Sequence, residues 1–196
     1  MKVNRLDQQM NFIMEVDKLK EITRQTYISS GKRLENDAEH SYSLALMVAL
    51  LSEYAEEKID VAKTMLMVLI HDIVEIDAGD TYAYDDAGNQ TKREREALAA
   101  DRIFNLLPED QAIYIRSLWE EFEEGQTPEA RFALTVDKVQ PMTLNDHTDG
   151  RAWREHDVHL DKVMKRNEHT ADGSQALWKF AKGIIDKNVA NGNIKS

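Results

Sequence analysis

Apolar residues recur at helical spacing along most of this chain. From Gln8 to Thr23 they fall at Phe12, Ile13, Val16, Leu19 and Ile22, with the Lys20 stem among them, a helix face. Thr26 to Leu34, with Ser29, Ser30 and Gly31, reads as a loop. Asn36 followed three residues later by Glu39 predicts a capping box and a helix to about Glu57. Its stripe is His40, Leu44, Met47, Leu51 and Tyr54. Asp60 or a neighbour opens a third helix ending near Ile76, apolar almost all round, as suits the middle of a bundle. Asp77 to Thr91 is a loop by composition. Thr91 to Leu107 is helical again, with Leu98, Ile103, Leu106 and Leu107 inward and Lys92 to Glu96 mostly outward. Pro108 starts a helix carrying Ile113, Ile115, Leu118, Trp119 and Phe122, and Gly125 ends it. Thr127-Pro128-Glu129 caps another, running through Phe132, Leu134, Val136 and Val139 until Pro141. The pattern weakens from Asn145 to Asn167, then returns in Ser174 to Val189 with Leu177, Trp178, Phe180, Ile184 and Ile185. No strand alternation or repeat is visible. The expectation is a single all-α domain over residues 1–190 with a frayed tail at 191–196.

Bulk properties narrow the function classes. The chain has 196 residues, enough for one substantial core. Its net charge of −11 argues against binding a nucleic-acid polymer through its phosphates. A small anionic substrate stays compatible, because a cation and a few placed basic groups set the field inside a cleft. With no cysteine, thiolate metal sites, disulfides and cysteine nucleophiles are excluded. Met1 to Leu19 mixes charges without an apolar centre, unlike a signal peptide, and no run approaches the ~18 apolar residues of a membrane span. A cytoplasmic location and no membrane partner are expected.

Chemistry concentrates where polar groups interrupt apolar helices. His71 and Asp72 follow the run Met65 to Ile70, and Glu75 comes one turn later. His40 lies on the core face of its helix, and Asp137 lies inside another apolar helix. Buried imidazoles and carboxylates need partners, since an unpaired buried charge is too costly to persist. Two imidazoles and two carboxylates suit a six-coordinate divalent cation with open positions better than a closed zinc site. His147, His156, His159 and His169 match no ligand spacing, and Trp119, Trp153 and Trp178 are read as packing residues.

The ordered set His40, His71-Asp72, Asp137 on a helical chain resembles the HD-domain metal-dependent phosphohydrolases. Two segments, Arg33 to Ser41 and Ile70 to Asp80, are most similar to the HD-domain 5'-deoxynucleotidases; Leu118 to Phe122 and Val136 to Lys138 resemble later landmarks of that group. The resemblance runs from about Leu19 to Val139 and implies an all-α, single-domain HD-domain helical bundle. It also implies that His40, His71, Asp72 and Asp137 hold one divalent metal ion (Co, Mn, Mg, Fe, Ni or Zn) and that Glu75 orients or deprotonates the attacking water. Asp80 would bind the sugar hydroxyl and Arg24 the phosphate, with Lys32, Arg33 and Lys138 as further cations nearby. The implied activity is hydrolysis of (deoxy)nucleoside 5'-monophosphates, with a small-molecule nucleotide as partner and a homodimer as assembly. The metal would acidify water and neutralise phosphoryl charge.

The sequence departs from the group at Gln25, where bacterial members carry tryptophan after the arginine, which weakens the case for strict 2'-deoxy selection. No histidine lies between Asp72 and Asp137, against the dinuclear phosphodiesterases of the superfamily. Ile76 follows Glu75, unlike the guanosine-tetraphosphate hydrolases. Two alternatives remain: hydrolysis of another small phosphate ester or nucleotide (triphosphate or cyclic), and a non-catalytic metal-stabilised interaction module.

Overall fold

The structure, a computed structural model, describes residues 4–84 and 86–196, with side chains except at 86, 87 and 89. Residues 1–3 and 85, which fall in the expected domain and in the expected 77–91 loop, lie outside the described residues. The bundle comprises α1 (Arg5–Val16), α2 (Asp37–Leu51), α3 (Val61–Ile70), α4 (Glu75–Ala78), α5 (Asp86–Phe104), α6 (Glu109–Glu124) and α7 (Pro128–His147). It ends with the short α8 (Arg151–Glu155), α9 (Leu160–Arg166) and α10 (Thr170–Gly173), then α11 (Gln175–Ala190). Helix accounts for 70% and strand for 5%, so the fold is the all-α bundle read from the sequence.

Local chemistry sets the boundaries. Asn36 Oδ1 accepts from the Glu39 N–H at 2.9 Å, and Glu39 Oε2 accepts from the Asn36 N–H at 3.3 Å, the capping box expected for α2. The side chains of Asp60, Thr127 and Ser174 cap α3, α7 and α11 by accepting from the backbone N–H groups of Lys63, Ala130 and Leu177, and Gly125 closes α6 in the left-handed conformation. α2, α3 and α7 enclose the main core, where Leu44, Val48, Met67, Val68, Phe132, Val136 and Val139 are fully buried. A second cluster joins Ile70, Ile73 and Val74 to Ala99, Ile103, Phe104, Leu118 and Trp119. His71 and Asp72 lie where the two clusters adjoin.

Several expectations change. The chain after α1 leaves the helix through a 3₁₀ turn at Asp17–Glu21 and forms β1 (Thr23–Tyr27), antiparallel to β2 (Leu34–Asn36). These strands have no apolar alternation, because one face is half-exposed and the other carries Arg24 and Glu35 inward. The expected helix to Ile76 tightens after Ile70: the N–H groups of Ile73, Glu75 and Ile76 bond three residues back, at 2.9–3.3 Å. α5 begins at Asp86 rather than Thr91. α7 runs through Pro141 to His147. Proline there removes only the hydrogen bond to the Asp137 carbonyl, while Val139 and Met142 on either side remain packed in the core. Leu98, Ile113, Phe180 and Tyr54, expected inward, are exposed, and Glu96, expected outward, is buried.

The tail expected to fray is anchored instead. Ile194 is 1% exposed, the Lys195 N–H donates to the Val158 carbonyl, and the Leu160 N–H donates to the Lys195 carbonyl at 2.7 Å. Asn193 Nδ2 donates to Asn188 Oδ1 at 2.8 Å, and Arg154 donates to Asn193 Oδ1 at 2.7 Å. The fit of α10 on α7 is equally tight: a Cβ on Gly173 would stand 2.3 Å from the Arg131 carbonyl oxygen. Gly173→Ala is therefore expected to cost about 1–3 kcal/mol, read by calorimetry as roughly 2–4 °C of Tm per kcal/mol. An unchanged Tm would mean that α10 yields without penalty.

Candidate metal and phosphate site

The capping box places His40 in the first turn of α2, fully buried. Its Nδ1 lies 3.0 Å from Gln140 Oε1 and 3.6 Å from Glu35 Oε2, while Gln140 Nε2 donates to Glu35 Oε1 at 2.8 Å. An Nδ1–H donating to Gln140 leaves the Nε2 lone pair facing inward, the usual second-sphere arrangement for a ligating histidine. That Nε2 is 3.0 Å from Asp137 Oδ1 and 3.9 Å from Asp72 Oδ2. His71 repeats the arrangement, its Nδ1 2.8 Å from the Val68 carbonyl. His71 Nε2 stands 3.1 Å from Asp72 Oδ1 and 3.8 Å from Asp137 Oδ1 without a well-aligned hydrogen bond. The structure thus brings His40, His71, Asp72 and Asp137 together, with the two imidazole rings 5.5 Å apart.

More carboxylates surround this group than the sequence reading found. Asp37 and Glu75 are buried beside Asp72, and one oxygen from each of the three lies within 4.8 Å of the others. Arg24, on β1, donates to Asp72 Oδ2 at 2.8 Å and Asp37 Oδ1 at 3.1 Å. Asp80, just past Gly79 at φ 76°, is half-buried on the cleft wall. Burial, then Asp72 and Asp37, hold the Glu75 carboxyl well above its usual range. Burial and Asp72 likewise raise Asp37 to about 6, against the opposing pull of Arg24. Burial opposes charging of His71, yet Asp72 and Asp137 outweigh it and raise its pKa to about 10.

A divalent cation fits this arrangement on three counts. His71 Nε2, Glu75 Oε2, Asp37 Oδ2 and Glu35 Oε2 are buried without hydrogen-bond partners. Among the described residues, the fixed cation in contact with this group of carboxylates is Arg24, paired with Asp37 and Asp72. Atoms of His40, His71 and Asp72 lie within 4.8 Å of one another, with Asp137 beside both histidines, a nitrogen–oxygen donor set for first-row ions.

The cleft over this cluster is lined by Gln25, Tyr82, Tyr84, Lys138, Asn145 and Arg166, besides the acidic groups. Of the expected cations Arg24 and Lys138 line it. Lys32 is exposed outside its lining, and Arg33 pairs with Glu39 at 2.6 Å on the surface. Lys92, read from sequence as part of a solvated face, lines the cleft and sits 3.4 Å from buried Glu96. Asp37, Glu35, Gln140 and Arg166 were also missed. Gln140 had a usable signal, since it lies one helical turn from Asp137.

Fold and cluster define a helical protein with a buried His/Asp centre able to hold a metal, and the chain belongs to the HD-domain family, whose model matches residues 16–178. It is similar to human 5'-deoxynucleotidase HDDC2, 28% identical over 132 residues, which are 67% of this chain and 63% of that protein. The Dictyostelium discoideum protein of the same name is 30% identical over 138 residues, 67% of this chain and 72% of its own. The match thus spans under two thirds of the human relative's length. A predicted metal-dependent phosphohydrolase from Magnetospirillum magnetotacticum MS-1 superposes with a TM-score of 0.94 at 46% identity, covering 98% of this chain and 96% of that one. An HD-domain phosphohydrolase from Listeria innocua, 18% identical, shares the fold with a TM-score of 0.61 over 95% of this chain and 92% of its own.

Dialysis against chelator is expected to lower Tm and Mn²⁺ to restore it saturably, because ligand bound only by the native state stabilises it. In His71→Ala the Mn²⁺-dependent rise should vanish; a rise equal to that of the wild type would place the ion elsewhere.

Proposed function

We propose that this chain is a divalent-cation-dependent phosphohydrolase that converts (deoxy)nucleoside 5'-monophosphates to nucleoside and inorganic phosphate. In this reading His40, His71, Asp72 and Asp137 hold one cation. The observation that carries it is the pairing of that donor set with Glu75, whose buried Oε2 has no partner and which lines the same cleft. The cation, when bound, supplies Lewis acidity toward water and phosphoryl oxygen.

Glu75 takes the proton of the attacking water as the water oxygen bonds to phosphorus and the bond from phosphorus to the nucleoside O5' breaks. That proton then passes to the departing alkoxide, which leaves as the nucleoside hydroxyl. Asp80 accepts from the sugar hydroxyl. Arg24 lines the cleft and, engaged by Asp72 and Asp37, orients those two carboxylates beneath the phosphate it was expected to contact. Nucleotide chemistry is supported by the names of the relatives, and Gln25, lining the cleft where a tryptophan would select the sugar, favours acceptance of both ribo- and deoxyribonucleotides. The homodimer expected from the resemblance is supported by Tyr42, Leu46 and Leu50, exposed at four-residue intervals along α2. A cytoplasmic location accords with the lack of cysteine, and no described helix is long and apolar enough to cross a membrane.

Phosphate release from a panel of nucleoside mono-, tri- and cyclic phosphates, with Mg²⁺, Mn²⁺ or Co²⁺ and with chelator, tests the reading. Monophosphates are expected to be turned over only with cation. Glu75→Gln should reduce kcat by about 10²–10⁴-fold while bound cation, measured by plasma emission, stays level. Silence across the whole panel would leave a non-catalytic metal-stabilised module. Light scattering should return a dimer mass that Leu46→Glu shifts to monomer; a monomeric wild type would sink the dimer.

A further inference from the structure

Arg24, the arginine expected to grip phosphate, is occupied by two carboxylates, and Lys92 is paired with Glu96. Two other cations that line the cleft are not so engaged. Among the described residues, neither Lys138 on α7 nor Arg166 at the end of α9 makes an ion pair within 4.0 Å or a side-chain hydrogen bond. Both line the same cleft in a chain with 36 acidic and 25 basic residues. Lys138 is half-buried, and Arg166 acts on it as a like charge; Asp137, Asp172 and Glu168 act on it only from beyond pairing distance. Like charges held together at a half-buried wall are unfavourable unless an anion arrives between them.

A second observation comes from the same helix face. Asn145, two turns beyond Lys138, is 6% exposed and lines the cleft with its Oδ1 unpartnered. A buried amide without a partner is costly, and amide orientation follows the partner available, so it can turn an N–H toward an incoming oxyanion. Lys138, Pro141 and Asn145 recur at helical spacing along this wall, and Pro141 has no N–H that would need a partner there.

We propose that Lys138, Arg166 and Asn145 form an anion subsite that receives the phosphoryl oxygens of the substrate, making the two cations determinants of affinity for phosphate esters. This rests on the phosphohydrolase reading for its role in catalysis. Binding of an oxyanion to the wall stands on the residues alone.

The probe is inorganic phosphate, titrated by calorimetry into the Mn²⁺-loaded protein. Lys138→Met and Arg166→Met keep the apolar stems and remove the charges, and Lys182→Met, whose lysine pairs with Asp186 on the exposed face of α11, controls for net charge. Loss of one charge-assisted contact should weaken phosphate binding and raise KM by about tenfold or more, with bound Mn²⁺ and kcat changed by less than about threefold. The control should match wild type. Phosphate binding within twofold of wild type in both variants, or none to the wild type at 10 mM, overturns the subsite. A wild type that binds phosphate through these residues yet hydrolyses no nucleotide overturns the nucleotidase reading and upholds the subsite.

Discussion

Four carboxylates meet in the interior of this protein, and everything near them is arranged to keep that tolerable. Asp37, the pair Asp72 and Glu75, and Asp137 come from three stretches of chain, and a buried unpaired charge is among the most costly features a fold can carry. One guanidinium, Arg24, bridges two of them at 2.8 and 3.1 Å. Two imidazoles face Asp137 and Asp72. The balance remains short of positive charge, as the raised Glu75 and Asp37 carboxyls register. A divalent ion is the simplest completion, because it offers two charges to groups already preoriented by Gln140, Glu35 and the Val68 carbonyl.

The small hairpin acquires its importance from this. Taken alone, β1 and β2 form a two-stranded sheet, marginal in water. Yet β1 delivers Arg24 to the cluster and β2 delivers Glu35, while the turn from β2 into α2 fixes Asp37 and His40. The hairpin therefore works as the bracket of the site, anchored by the ion pairs it makes. Its stability is tied to the cluster, since the Arg24 side chain is pinned mainly by Asp72 and Asp37.

The sequence made most helices legible because their apolar spacing and caps agree: Asn36/Glu39, Asp60, Pro108/Gly125 and Thr127 all lie at element ends. The hairpin was illegible because its residues are chosen for the site and not for a sheet face. Leu98, Ile113 and Phe180 were misjudged since a helical repeat gives a face but not what covers it. His40, His71, Asp72 and Asp137 stood out because each replaces an apolar residue on an apolar helix. Asp37 and Glu35 did not, being indistinguishable from first-turn and loop acids until the chain folds back on α7. Lys92 and Glu96 read as part of a mostly outward helix face, and only the packing of α5 turns them inward.

The regular helix breaks after Ile70, beside this centre. The N–H groups of Ile73, Glu75 and Ile76 bond three residues back, and within that stretch Asp72 touches both His71 at 3.1 Å and Arg24 at 2.8 Å. The same tightening restarts the helix at Glu75, turning its carboxyl into the cleft while Ile73 and Val74 stay in the second core cluster. On the facing side Pro141 leaves the Asp137 carbonyl without its helical donor. Both central helices thus give up regular hydrogen bonding at the residues that bear the chemistry, and the apolar clusters on either side hold those departures in place.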